Sequence, residues 1–165
     1  MAVNAFLRLE GVDGESAQRS HERWIEVQSW DWEVEAESSW TKGGGASVGK
    51  PRPGALSWTH HFDLSSITLL ARIATGKAFP SAELQLTRTT GKAAHETYLA
   101  ATMQGVFVTK VASSGTDEGT VSQLVSMVFK HIAIDYRAPD NKTGSLGRPV
   151  QFTWDIPSGT ASPSS

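Results

Sequence analysis

Alternation with a period of two residues runs through most of this chain. That period places successive side chains on opposite faces of an extended strand. Val3, Ala5, Leu7 and Leu9 alternate with Asn4, Phe6 and Arg8, and Leu56, Trp58, His60 and Phe62 alternate with Ser57, Thr59 and His61. Ala82, Leu84 and Leu86 alternate with Glu83, Gln85 and Thr87, and Val150, Phe152, Trp154 and Ile156 with Gln151, Thr153 and Asp155. Each segment reads as a half-buried strand of a largely antiparallel sheet. The 165 residues fit one domain, large enough to bury a core without covalent staples. Residues 1–156 are expected to form it. The Ser-, Pro- and Gly-rich residues 157–165 are expected to be a disordered tail.

Three segments are longer and less regular. In Trp24–Glu35 the apolar phase is odd at Ile25 and Val27 and even at Trp30, Trp32 and Val34. A β-bulge shifts side-chain direction in this way. Val121–Tyr136 behaves similarly, with Val125, Met127 and Phe129 giving way to Ile132, Ile134 and Tyr136. Tyr98–Val111 is apolar on both faces, through Leu99, Met103, Val106, Phe107 and Val108. Strands commonly run about 5–6 residues. Longer, bulged, two-sided ones suit a closed or strongly curled sheet whose outer face meets a neighbour. One helix is predicted, capped by Asp63 and stopped by Gly76, with Ile67, Leu70, Ala71 and Ala74 at helical spacing. It flanks one side of the barrel. Ser113–Gly119 reads as the turn of a long hairpin. Ser38–Gly54 contains Gly43, Gly44, Gly45, Gly49, Pro51 and Pro53 and few large apolar residues, and reads as a long extended loop. Loops longer than about 12–15 residues usually carry function or are disordered.

Several chemistries are excluded or disfavoured. The absence of cysteine rules out disulfides, thiolate metal sites and a cysteine nucleophile. A net charge of −2 with intermixed signs gives no basic stripe for nucleic acid. No apolar run approaches the roughly 20 residues that span a bilayer, so no membrane insertion is expected. The first ten residues lack a signal-peptide pattern, so synthesis in the cytoplasm is expected, with any export by another route. Gly44–Lys50 satisfies G-x-x-x-x-G-K, but Pro51 stands where a phosphate-binding loop needs Ser or Thr, and no helix follows. His60 and His61 point to opposite faces of a strand and cannot share a metal. No G-x-S-x-G elbow is present, and Asp31, Glu33 and Glu35 read as a solvated or interface edge. No cofactor, metal or catalytic residue is assigned. Trp58 and Trp154 read as core, Trp30 and Trp32 as core or subunit interface, and Trp24 and Trp40 as exposed. Six tryptophans keep a second reading open: a monomeric, carbohydrate-binding β-sandwich module.

A family likeness rests on several segments taken in order. Met1-Ala2-Val3, Phe6 and Gly11-Val12-Asp13-Gly14-Glu15-Ser16 resemble the start of the haemolysin-coregulated protein (Hcp) family of type VI secretion systems, a strand followed by a G-E-S turn. His21 and Ile25-Glu26-Val27-Gln28-Ser29-Trp30-Asp31-Trp32 resemble its S-W-x-W strand. Gly43–Lys50 is similar to its glycine-rich loop, Leu56–His60 to its L-S-F-T strand, and Ala74-Thr75-Gly76-Lys77 to its helix exit. The hairpin from Tyr98-Leu99 to Asp135-Tyr136 and the late Trp154-Asp155-Ile156 complete the likeness. Pro51-Arg52-Pro53 and Trp24 depart from it.

The resemblance implies a mainly β protein, a compact antiparallel β-barrel with one short flanking α-helix and a long extended loop. It implies a non-enzymatic homo-hexamer whose rings stack into an inner tube. The expected partners are a contractile sheath, a spike protein and effector proteins carried in the channel. Secretion by the type VI system to the extracellular space or a target cell is expected. Lys42, Gly43, Gly44, Gly45, Ser47, Gly49, Lys50 and Arg52 are expected to form the ring-stacking loop. Trp30, Trp32, Val34, Val106, Val108, Ile132 and Ile134 are expected on subunit-interface strands, because a two-sided apolar strand needs a second apolar environment.

Overall fold

The computed structural model describes residues 3–41, 43–89 and 95–164. Among these residues, twelve strands and one helix follow in order: β1 (Val3–Leu9), β2 (Ile25–Val27), β3 (Ser29–Asp31), β4 (Val34–Thr41), β5 (Gly45–Pro53), β6 (Leu56–His61), α1 (Leu64–Thr75), β7 (Phe79–Thr89), β8 (His95–Gly115), β9 (Val121–Val128), β10 (His131–Pro139), β11 (Leu146–Asp155) and β12 (Thr160–Ser164). All described pairings are antiparallel. Among the described residues, no helix is long and apolar enough to cross a membrane.

Strand β8 organises the molecule. Its first half pairs with β7 and β10, and its second half with β9. One path runs β12-β11-β10-β8-β7-β1-β2, and a branch continues β8-β9-β6-β3. The two paths end on β2 and β3, which are separated in the chain only by Gln28. The ladder is therefore not closed among the described strands. The expected barrel is a curled ten-stranded sheet whose seam is bridged by the covalent chain, helped by the Gln28 N–H donating to Thr59 O (2.8 Å). The phase switch at Trp24–Glu35 is this crossing from one path to the other.

Leu7, Leu9, Leu84, Met103 and Ile132 from one path face Leu56, Trp58, Val125 and Met127 from the other, and Leu69 and Phe79 fill the remaining side. Burying each such side chain is worth about 1.5–3 kcal/mol. Val12 joins this core, while His21, from the same Gly11–Arg23 segment, covers the far face of β1. The His21 ring stacks on Phe6 (4.5 Å) and meets Trp24 edge-on (4.8 Å). Trp24 is consequently buried, not exposed as its position suggested, and its ring carries the Arg8 guanidinium at 5.0 Å.

Three further readings need correction. Val121–Tyr136 is two strands, because the chain turns at Phe129-Lys130, where the Lys130 N–H donates to Gln104 O (3.0 Å). The glycine-rich loop is a hairpin, β4 with β5. Thr160–Ser164, placed in the disordered tail, forms β12 on β11. The helix occupies the predicted span, with Asp63 at the N-cap and Gly76 in the left-handed region at φ 66°. Its burial is inverted: Ser65, Ser66 and Leu69 face the core, while Leu64, Ile67, Leu70, Ala71 and Ala74 face outward.

Candidate assembly surfaces

Among the described residues, the β4–β5 hairpin pairs only with itself. Its register opposes Val34 to Pro53, Ala36 to Pro51, Ser38 to Val48 and Trp40 to Ala46, with a bulge between Ala36 and Ser38. Residues directly opposite share a face. One face thus carries Val34, Ala36, Trp40, Ala46, Val48 and Pro51. The other carries Glu35, Glu37, Ser39, Ser47 and Arg52. On the polar face Arg52 pairs with Glu37 (3.2 Å) and the Ser39 and Ser47 hydroxyls are hydrogen-bonded (2.5 Å). An exposed pair of this kind contributes at most about 1 kcal/mol. On the apolar face Val34, Trp40 and Val48 are all exposed. Gly43 and Gly45, at φ 95° and 81°, make the turn that a residue with a Cβ resists.

The root of the hairpin is anchored. The Trp32 indole N–H donates to Gly54 O (3.1 Å), and the Gly54 N–H donates to Glu33 O (2.8 Å). The Trp32 ring also lies 5.8 Å from Phe129. The root is fixed on the body, and the strands beyond it stand exposed as an arm.

The structure divides the residues expected at interfaces. Gly43, Gly44, Gly45, Ser47, Gly49, Lys50 and Arg52 lie on the hairpin, and Lys42 lies outside the described residues. Trp30 and Val34 are exposed, while Trp32, Val108 and Ile134 are partly buried against the core. Val106 and Ile132 are fully buried inside the subunit, so their side chains cannot meet a neighbour. Both sit on strands with apolar residues on each face, where sequence alone does not say which face turns inward.

Their exposed counterparts are Phe107 and Val128, which are cross-strand partners, and Tyr136 and Val150, also cross-strand partners. Tyr136 keeps the phase of Ile132 but lies past the point where the core ends. The available signal was its place at the far end of the strand. The outward face of α1 is a further missed surface, since apolar spacing alone signals burial and not exposure.

Beneath α1 lies a buried polar nest. The Trp58 indole N–H donates to Nδ1 of His60 (2.9 Å), and His60 Nε2 lies 3.2 Å from Ser66 Oγ. Ser66 Oγ also accepts from the Asp63 N–H (3.0 Å), and Gln123 Nε2 donates to Ser66 O (3.5 Å). A donor aimed at Nδ1 requires the neutral ring protonated on Nε2. Burial holds the His60 pKa below its ordinary value, opposed by the Asp63 carboxylate 3.9 Å away. No solvent reaches this histidine, so the nest fastens α1 to β6 and offers no substrate an approach. His61 points outward as expected, bonded to Gln28 (2.8 Å). Among the described residues, no cluster of three His, Asp or Glu could hold a metal. The phosphate-loop-like stretch falls within the β4–β5 turn and β5, with no helix behind it.

Comparison with known proteins agrees with this architecture. Residues 6–136 match the family described as type VI secretion system effector, Hcp. The chain is 31% identical to protein hcp1 of Pseudomonas aeruginosa over 157 residues, covering 94% of this chain and 96% of that protein. It is similar to the crystal structure of Hcp1 from Salmonella typhimurium at 28% identity, with a TM-score of 0.79 over 98% of this chain and 100% of that one. A structure of a type six secretion system protein superimposes with a TM-score of 0.89 at 24% identity, over 98% of this chain and 100% of that one, a likeness of fold. The family match and the near-complete overlap with a curated relative establish that this chain belongs to the Hcp family of type VI secretion systems.

Proposed function

We propose that this chain is a structural subunit that closes into hexameric rings, and that the rings stack into the inner tube of a type VI secretion system. The observation that carries the reading is the uncovered apolar surface of the lone subunit. Large apolar side chains stand as exposed cross-strand pairs, Phe107 with Val128 and Tyr136 with Val150, and along a self-paired hairpin. Contiguous apolar surface of this kind marks association sites in soluble proteins. Contact between two different patches on identical subunits is head-to-tail, and it closes into a ring when the rotation per subunit divides a full turn. Trp30, with Val108 on β8 and Ile134 on β10, belongs to these ring contacts. The hairpin supplies the contact between rings. No chemical step is assigned to the subunit.

Secretion with the tube, enclosure by a contractile sheath beneath a spike, and carriage of effectors in the channel follow from family membership. They remain part of this proposal. Light scattering on the purified chain tests it: a native mass near six protomers is expected, with rings visible by electron microscopy. A monodisperse single chain at high concentration overturns the reading. A shift of tryptophan fluorescence with glycans would then favour the carbohydrate-binding module.

A further inference from the structure

Helix α1 is held to the sheet differently at its two ends. Of its 12 residues only Ser65, Ser66 and Leu69 are buried, and Leu69 is the one large apolar side chain among them. The last turn is held through Arg72, whose guanidinium lies over Phe79 (4.6 Å) and donates to Ala78 O (3.3 Å). The first turn is held through polar contacts. Glu15 Oε2 accepts from the Leu64 N–H (3.2 Å), Gln123 Nε2 donates to Ser66 O (3.5 Å), and His60 Nε2 lies 3.2 Å from Ser66 Oγ. A segment with few buried apolar contacts opens at a lower free energy than the core strands.

The nest has no place for a second proton on His60. The Trp58 indole N–H points at Nδ1 across 2.9 Å, so a proton there sets two donors against each other. Both rings are enclosed, His60 at 0% exposure and Trp58 at 1%, and a buried donor without an acceptor is costly. The Asp63 carboxylate lies 3.9 Å from Nε2, beside the nitrogen that already carries a proton. Asp63 is also the N-cap of α1 and accepts from Ser65 Oγ, so a charged ring drawn towards it competes with the cap. From β9 the neighbour is the uncharged Gln123, and on β6 itself it is His61. Burial outweighs the pull of Asp63 and Gln123 towards the charged ring and holds the His60 pKa below its ordinary value.

We propose that the nest of Trp58, His60 and Ser66 is an acid-sensitive latch: a proton taken up from solvent at Nδ1 of His60 parts the ring from Trp58 and Ser66 and frees the first turn of α1, while the last turn and the sheet stay in place. Once the turn is open, His60 meets water and binds a proton near the ordinary value of about 6.5. The latch is therefore shut above about pH 6.5 and loosens as pH falls below it. The freed turn carries Leu64 and Ile67, both exposed, so the apolar surface of α1 has one fixed shape only while the latch is shut. The device is internal to one subunit and stands apart from ring formation.

Amide hydrogen exchange on the full chain at pH 7.5 and 5.5, corrected for intrinsic rates, tests the latch. Protection at residues 66–69 is expected to fall by up to about tenfold for each pH unit below about 6.5. Protection at residues 74–77 should hold. Low urea separates local from global opening, because the urea dependence scales with the surface exposed. Exchange at residues 66–69 should be nearly independent of urea, while exchange at residues 125–127 of β9 rises with it. Equal protection of residues 66–69 at both pH values, an equal loss at residues 74–77, or a urea dependence like that of β9 overturns the proposal. His60→Gln is expected to abolish the pH dependence at residues 66–69, and its persistence overturns the assignment to His60. Should that variant fail to fold, the ring signals of His60 in the unsubstituted chain decide. They must titrate over the pH range in which residues 66–69 open, and a ring that stays neutral while they open overturns the latch.

Discussion

Gly14 shows what a single atom decides in this fold. Its N–H donates to Arg23 O (2.7 Å), and a Cβ built on it would lie 2.4 Å from Trp24 O, well inside contact distance. The G-E-S turn therefore needs glycine for close approach of two backbones. Gly14→Ala is expected to lower stability by about 1–3 kcal/mol, the usual cost of overpacking, read as a shifted denaturation midpoint. Arg23 and Ser20 nearby hold positive φ, so this covering segment is already constrained. His60 makes a second residue-scale prediction. Its folded pKa lies below the ordinary value of about 6.5, so the unfolded chain binds that proton more readily. The stability due to neutral His60 is complete above about pH 6.5. It declines as pH falls from there through the folded value, by at most about 1.4 kcal/mol per pH unit. Urea midpoints at pH 7.5 and 5.5 should differ accordingly, and His60→Gln should flatten the difference. An unchanged slope in that variant would assign the effect to other groups.

At the scale of elements, α1 separates what local sequence dictates from what packing decides. Asp63 and Gly76 mark its ends because capping is a local matter. Its buried face is not local. Ser66 turns inward where its hydroxyl meets His60, while Gln123 donates to its backbone carbonyl, and this rotation leaves Ile67 and Leu70 in solvent. Leu69→Ala is expected to cost about 2–5 kcal/mol, whereas Ile67→Ala should change the stability of the dilute subunit by no more than about 0.5 kcal/mol. Chemical denaturation of the two variants checks the assignment; equal losses would contradict it. The alternating strands were legible for the reason the helix face was not: a half-buried strand writes its orientation into the period itself. The turn at Phe129-Lys130 was hidden because it contains neither glycine nor proline. The hairpin was hidden because its strands have no core to face, so their composition reads as loop. Val106 and Phe107 show the remaining difficulty. Adjacent apolar residues on a two-sided strand do not announce which of them points inward, and here Val106 is buried while Phe107 is exposed.

At the scale of the whole molecule, the uncovered surfaces fall into two sets that different substitutions should separate. The pairs Phe107–Val128 and Tyr136–Val150 lie on the body of the sheet, and the hairpin and α1 patches lie at its two ends. On the proposed reading, the sheet pairs close the ring and the hairpin joins one ring to the next. Val150 is exposed opposite Tyr136, so a carboxylate placed there is solvated in the lone subunit and costs its fold little. In a ring the same carboxylate would be desolvated against apolar neighbours, an expensive burial without a partner. The penalty recurs at every interface, because all subunits are identical. Val150→Glu is therefore expected to give a folded single chain by light scattering, with circular dichroism like that of the unsubstituted protein. Trp40→Asp, in contrast, should keep the ring and lose only the stack. Rings that persist in Val150→Glu would remove the β10–β11 face from the contact and leave Phe107 with Val128 as the surface that closes it.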